Sequence, residues 1–277
     1  MRIGWILNRS TRSPSLIIGL GLLLVLFVVA ALAGVLYPSD PLDMVGQPTL
    51  WPGESAAFPL GTDMLGRDIA AEIFHGARIS LLIGFVAAAM ALSIGVLVGS
   101  VAGYCRGKFD DLLMRVTEFF QTIPNFLFAI MLVIILAPSI RSIILAIGVT
   151  AWTQIARLTR AEVLRVRGTE YVHAAVTMGR SHVAIVIEHV LPNSLPPVII
   201  STSVLVAQAI LTEASLAFLG LGDPNAASWG AMIGAGRETL RTAWYMSAIP
   251  GVAVFATVMS FTLIGNGLND VFNPREL

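Results

Sequence analysis

The residue with most chemical meaning is an acid in an apolar setting. Glu213 follows a stretch, residues 190–212, that carries no formal charge, and the chain stays apolar from there to Gly222. An ionisable group at bilayer depth is costly and is a functional candidate by default. Two roles are open to it: a pore or gate group, or a hydrogen-bonding partner between helices. Other reactive constellations are missing. Gly103 to Lys108 contains a Gly-Lys step, but Phe109 stands where a phosphate-binding loop needs Ser or Thr, and the spacing is one residue short. His75, His173, His182 and His189 are not spaced as one metal site; His182 and His189 share a helix face without a third ligand. No His-Glu-x-x-His helix or Gly-x-Ser-x-Gly turn occurs. The lone Cys105 excludes an internal disulfide. The expectation is a chain with no catalytic residues, no metal and no cofactor of its own.

The elements that must position Glu213 follow from composition. The 277 residues are 56% hydrophobic and 12% charged, against about 25% charged in an average soluble domain. Such a chain would aggregate in water and is far too apolar for disorder. Six uncharged runs approach the roughly 20 residues that a spanning helix needs: 16–36, 79–105, 119–140, 142–156, 190–212 and 242–269. They are continuous rather than alternating, which argues for helices over a barrel. The fourth, at 15 residues, reaches only about 22 Å. Arg141 and Arg157 bracket it and supply length by snorkelling. The distribution of basic residues supports six spans with both termini cytoplasmic. Arg2, Arg9, Arg12, Arg106, Lys108, Arg115, Arg157, Arg160, Arg165, Arg167, Arg180 and Arg275 then lie inside, and Arg67, Arg78, Arg141, Arg237 and Arg241 outside. The zero net charge thus hides an orientation signal. The fold expected is an all-α polytopic membrane protein.

The organisation reads as a cytoplasmic segment 1–15, a first transmembrane helix 16–36, an outer loop 37–78 and a membrane core 79–277. The first run and Ala31-Leu32-Ala33 resemble a secretory signal, but the run is too long for a usual signal core and is read as a span. The outer loop opens with five prolines and closes on Gly61-Thr62-Asp63-Met64-Leu65-Gly66-Arg67-Asp68, where Thr62 or Asp63 is positioned to cap a helix entering the second span. A second outer segment, 221–241, contains Ser228-Trp229-Gly230. Within the second span, Gly95, Gly99 and Gly103 recur every four residues, the pattern of closely packed helices in lipid. Pro124 and Pro250 imply bends or breaks in the third and sixth spans. The inner loop 157–192 is far longer than a connector needs. Tyr171, Ala174, Ala175 and Met178 fall on one helical face, Gly179 offers a helix stop, and Leu191-Pro192 ends the loop. A docking surface is expected here.

These motifs together resemble the permease subunit of bacterial binding-protein-dependent ABC importers, and most closely the C-type subunit of the dipeptide/oligopeptide/nickel group. Three regions carry the resemblance: Gly61, Thr62, Asp63, Gly66, Arg67 and Asp68; the loop, where Ala174, Ala175, Gly179, Leu191 and Pro192 match the family pattern; and Glu213 to Gly222 with Ser228-Trp229-Gly230 and Gly265-Asn266-Gly267-Leu268-Asn269-Asp270. His173 replaces the family Glu and His189 the family Ile, and Glu170 is three residues off that position.

The resemblance implies a type I importer architecture in the bacterial inner membrane. The loop, including Glu170, Tyr171, His173 and Met178, would form a coupling helix seated in a separate ATPase, which holds the ATP and magnesium. The implied partners are a homologous second permease, two ATPases and a periplasmic or lipid-anchored solute-binding protein. Short peptides are the implied cargo, with nickel or a metal chelate as the alternative. A self-contained secondary transporter would need ion-coupling groups near the midplane, often in repeats, whereas Glu213 stands alone. An intramembrane enzyme would need paired acid and base groups, which are missing.

Overall fold

The computed structural model describes residues 13–272. At bilayer depth each backbone polar group must find its partner within its own segment, and the apolar runs accordingly fold as helices. Helix α1 (Pro14–Leu36) starts with proline in its first turn, where the missing N–H costs nothing. Helix α2 (Ile69–Cys105) has 37 residues and spans roughly 55 Å. This exceeds the ~30 Å hydrocarbon core, so its first ten residues, with Glu72, His75 and Arg78, project beyond the apolar run. Its cap is Asp68, whose carboxylate accepts from the Ala70 N–H at 2.9 Å. Thr62 and Asp63, read from the sequence as candidate caps, instead build the turn before it.

The third run departs from expectation. Residues 119–140 do not form one straight span. Helix α3 (Gly107–Thr122) and helix α4 (Asn125–Leu136) meet at an 82° bend. Pro124 lies in the break, and Ile123 before it is extended (φ −88°, ψ 125°), as a residue preceding proline prefers. The twelve residues of α4 cover only about 18 Å. Helix α3 exposes Phe109, Leu112, Val116 and Phe119 along one side and buries Asp110 on the other. Its charges conceal it from a search for uncharged runs, although its helical periodicity is present in the sequence.

The fourth run is the apolar middle of a longer helix. Helix α5 (Ile140–Arg167) continues for 28 residues through Arg157 and Arg160, roughly 42 Å. Arg160 keeps its charge there by a two-pronged pair with Asp110, at 2.5 and 2.7 Å. The last two long helices are α8 (Leu191–Leu216), described with the site below, and α10 (Tyr245–Phe272), which runs unbroken through Pro250 in its second turn. Five helical stretches are thus long and apolar enough to cross a membrane, or six with the bent α3–α4 pair counted as one.

Contacts at the two ends show these legs alternating in direction. At one end Tyr37 O meets His75, the Ile140 N–H donates to Asp223, and the Tyr245 hydroxyl donates to Leu50 O. At the other Ser13 donates to Asp270 at 3.1 Å, and Arg160 pairs with Asp110. The two ends of the described chain therefore lie together.

Close helix contact is made by small residues. A Cβ on Gly95 would strike Ile155 and Trp152 O; one on Gly99 would strike Ala156 O and Thr159; one on Gly103 would strike Arg160 O and Val163. The four-residue glycine repeat is thus the seam between α2 and α5. Helix α1 is seated against α10 in the same way, Gly19 facing the Ser260 and Ile264 backbone and Gly267 facing Leu16. Ser260 donates to Gly19 O across that seam at 2.8 Å. Arg78 binds the Ala30 and Ala31 carbonyls near the C-terminal, negative end of α1. Introducing Leu at Gly99 forces α2 and α5 apart. We expect a loss of about 1–3 kcal/mol, read as a lowered thermal unfolding midpoint in detergent, while Leu at Gly21, which faces open space, leaves the midpoint unchanged.

Candidate functional site

Two regions hold the residues singled out above, one at each end of the bundle. At the end shared by Ser13 and Asp270, Gly168 stops α5, and Thr169 donates to Val166 O at 2.6 Å. Helix α6 (Glu170–Thr177) follows, with Glu170 in its first turn, a favourable place for an anion. Val172 and Ala175 turn inward onto Val163, Val166, Ile185 and Val190, with Tyr104 beside them. The four-residue face read from the sequence is therefore divided. Ala175 is 2% exposed and holds α6 to its own chain, while Tyr171, His173, Ala174 and Met178 face outward. The reason is geometric: adjacent residues 174 and 175 lie about 100° apart around a helix, and the α5 end claims one of them.

Gly179 ends this turn with φ +75° and open space around it. Its role is conformational, since a left-handed backbone is costly for residues with a Cβ. Ser181 then caps helix α7 (His182–Ile185) by accepting from the Ala184 N–H. The remainder of the loop is not a loop. From residue 182 to residue 219 the chain is one helical stretch, with a wider π turn at Val186–Val190 leading into α8, and the left-handed Gly220 (φ +83°) breaks it. Leu191 and Pro192 form the first turn of α8 rather than a loop end, a position that tolerates proline. The π turn bonds the Leu191 N–H to Val186 O.

Polar groups brace this end. Arg167 donates to Tyr104 O and lies 5.0 Å from the Tyr104 ring centroid. The Tyr104 hydroxyl meets His182 Nδ1 at 2.9 Å, and Arg180 pairs with Glu188 at 2.8 Å. Tyr171 and His189 bring their rings within 6.5 Å. The outward surface is apolar: Tyr171, Val176, Met178, Val183 and Ile187 are all exposed. The last two escape a reading focused on α6 alone. Their signal is the four-residue spacing from 183 to 187.

At the opposite end, the turn 61–68 is tightly wired. Gly61 and Gly66 have φ near +80° and press against Leu50 O and Gly46 O, so a Cβ fits at neither. Thr62 is fully buried; its hydroxyl donates to Gln47 O at 2.5 Å and accepts from the Leu50 N–H. Asp63 accepts from the Leu65 and Arg67 N–H groups, each at 2.8 Å. Asp68 caps α2. Burial raises its carboxyl above the usual range, and the Ala70 and Ala71 N–H groups oppose that. The Tyr245 hydroxyl ties the turn to α10 through Leu50 O and Thr62 O.

Glu213 lies in α8 toward this same end, 1% exposed. The Ser80 hydroxyl of α2 donates to its Oε2 at 3.1 Å, and the Trp229 N–H approaches Ser80 Oγ at 3.4 Å. Its Oε1 is buried with no partner among the described residues. Trp229 begins helix α9 (Trp229–Gly236), capped by Ser228. Its indole N–H donates to Ile73 O at 3.1 Å, and its ring fills the space left beside Gly76. Gly230 packs on the Ala214 backbone. Glu213, Ser80 and Ser228-Trp229-Gly230 thus join α8, α2 and α9 at one point. Ser80 is the partner that sequence reasoning missed; an uncharged serine inside an apolar run sends no signal until another helix faces it.

Residues 95–277 match the family described as binding-protein-dependent transport system inner membrane component. A putative peptide transport system permease protein of Brucella suis biovar 1 (strain 1330) is 38% identical over 273 residues, covering 97% of this chain and 90% of that protein. The dipeptide transport system permease protein DppC of Bacillus subtilis (strain 168) is 37% identical over 260 residues, covering 93% of this chain and 81% of its own length. Among solved structures, the fold is similar to the MetNI methionine ABC transporter in an inward-facing form, with TM-score 0.61 and 18% identity over 72% of this chain and 96% of that one. The chain belongs to the family of binding-protein-dependent transport system inner membrane components.

Proposed function

We propose that this chain is one half of the pore of an ATP-driven importer of di- and oligopeptides. The observation that carries the reading is a groove between α5 and α8. Gln154, Ser201 and Gln208 line it beside Leu158 and Val204, in a cavity of about 200 Å³. Both glutamines are exposed on the bundle surface, far from either helix end. Uncharged polar side chains at that depth belong against water or protein rather than lipid. A homologous second permease facing this groove would enclose a hydrated path. The peptide relatives, matching nearly the whole chain, favour peptides as cargo over nickel or a metal chelate.

In this reading both termini are cytoplasmic, and the α6–α7 end faces a separate ATPase. That partner binds ATP and magnesium; this chain binds neither and catalyses no reaction. Tyr171, Ala174 and Met178, with Val183 and Ile187, form the apolar surface seated on it. Gly179 sets the angle between α6 and α7, and His173 stands on the outward side in place of the family Glu. A solute-binding protein docks at the opposite end, where the 61–68 turn and α9 lie. In proteoliposomes holding both permeases, two ATPases and the binding protein, labelled dipeptide should accumulate only with ATP. Uptake driven by an ion gradient without ATP, or competition by nickel rather than by dipeptide, would reject the assignment.

Two variant sets test the mechanism. Trp at Ala174, or Val at Gly179, should lower uptake at least tenfold while ATP hydrolysis continues, because the docking surface no longer fits. Unchanged uptake in both would remove docking from this end. For Glu213 the geometry favours a bond between helices over a gate. Glu213→Gln keeps an oxygen for Ser80 and should retain uptake within about twofold. Glu213→Leu strands the Ser80 hydroxyl, a cost of about 1–3 kcal/mol, and should lower the unfolding midpoint. Loss of uptake in Glu213→Gln with the midpoint unchanged would instead establish an electrostatic role.

A further inference from the structure

A cavity of about 440 Å³ opens between the 61–68 turn, the first turn of α2, and α9 with its flanking segments. That volume is in the range of small-ligand sites. It lies beyond the apolar run of α2, at the end of the bundle away from α6. Two side chains in its wall have unmet bonding capacity. Glu72 is 5% exposed. Its carboxylate makes no hydrogen bond among the described residues, and its ion-pair partner there is Arg67 at 3.8 Å. Arg67, whose side chain is 25% exposed, likewise makes no side-chain hydrogen bond there. Polar groups so placed are normally bonded, which points to an occupant carrying a donor for Glu72 and an acceptor for Arg67.

The other charged groups around the cavity are committed or more distant. Asp63 is held by the Leu65 and Arg67 N–H groups, and Asp68 by that of Ala70. Asp223 accepts from the Ile140 and Asn225 N–H groups. Arg237 lies 6.0 Å from the Phe218 ring, and Glu238 completes the wall. Carboxylates outnumber guanidinium groups, so the site favours a cationic ligand end over an anionic one. Ile69, Met232 and Met246 provide an apolar bed.

We propose that this cavity holds the free amino terminus of a short peptide, with its α-ammonium on Glu72, its first carbonyl oxygen on the exposed edge of the Arg67 guanidinium, and its first side chain on the apolar bed. The assignment deepens the peptide-import reading and rests on it. It places a checkpoint for free amino termini on the permease itself, before the pore.

Proton balance makes the site distinctive. Burial, reinforced by the charges of Asp63 and Asp68 and opposed by Arg67, pushes Glu72 up to about 8. Empty, it therefore holds its proton at pH 7. Pairing with an ammonium requires that proton to leave to solvent. Binding should tighten as pH rises from 6, by up to about tenfold per unit. It should weaken above about pH 8, where a peptide's own amino group deprotonates.

The test titrates the assembled permease–ATPase complex in nanodiscs, without binding protein or ATP, using Ala-Leu and N-acetyl-Ala-Leu in two buffers of different ionisation enthalpy. Ala-Leu should bind with release of close to one proton at pH 7, and the acetylated peptide at least tenfold more weakly. Glu72→Gln should lose at least tenfold in affinity together with the proton release, and Arg67→Met should weaken binding while keeping the release. Absence of binding at 10 mM, equal binding of the two peptides, or binding without proton release overturns the site in the unaltered protein, whatever the variants do. Parallel uptake by the complete transporter separates the two levels. Dipeptide uptake without these titration signals overturns the site alone; absent uptake overturns the import reading.

Discussion

Everything in this bundle depends on how closely α2 and α5 approach. In lipid there is no water to expel from between two apolar helices, so association must come from close contact and hydrogen bonds. Gly95, Gly99 and Gly103 remove the side chains that would hold the two backbones apart. Helix α5 can then present Arg160 to Asp110 and place its last turn, with Val163 and Val166, under α6. The same contact sets where α8 lies, because α8 packs against both helices. A wider seam would displace the α6 surface and the glutamine groove together.

The two ends of the bundle use different means to hold short elements. At the α6 end, a few apolar side chains and a left-handed glycine position an eight-residue helix. Its inward face is small, and its outward face is exposed. At the opposite end, backbone carbonyls and buried hydroxyls do the holding, through Thr62, Tyr245, Trp229 and Ser80. The first arrangement leaves an exposed apolar surface. The second makes the 61–68 turn, α9 and the head of α8 a single unit around Glu213. Helix α8 runs as a single rod from one of these ends to the other.

The fold was legible in the sequence wherever one local property decides it. Uncharged runs marked five of the crossing segments, the glycine repeat marked the α2–α5 seam, and Pro124 marked a break. The 82° bend and the separate helix α3 were not legible as such. Proline forbids a continuous helix, but the angle that replaces it depends on what the two pieces pack against. The same limit applied to the 157–192 stretch. Its helical spacing was visible, yet whether Ala175 faces a partner or its own chain depends on Val163 and Ile185, which are distant in sequence.

The sequence by itself determined membrane residence, the number of candidate legs and the positions of the chemically unusual residues, because hydropathy, proline and glycine act within a turn or two of themselves. Only the tertiary structure decided what those residues do to one another. It placed Ser80 beside Glu213, 133 residues away in the chain, and left Arg67 Nε unbonded in a wall it shares with Glu72. Hydrogen bonding and desolvation are properties of neighbours in space. For a buried acid those neighbours, more than its place in the chain, determine whether it serves as a latch, a gate or a binding group.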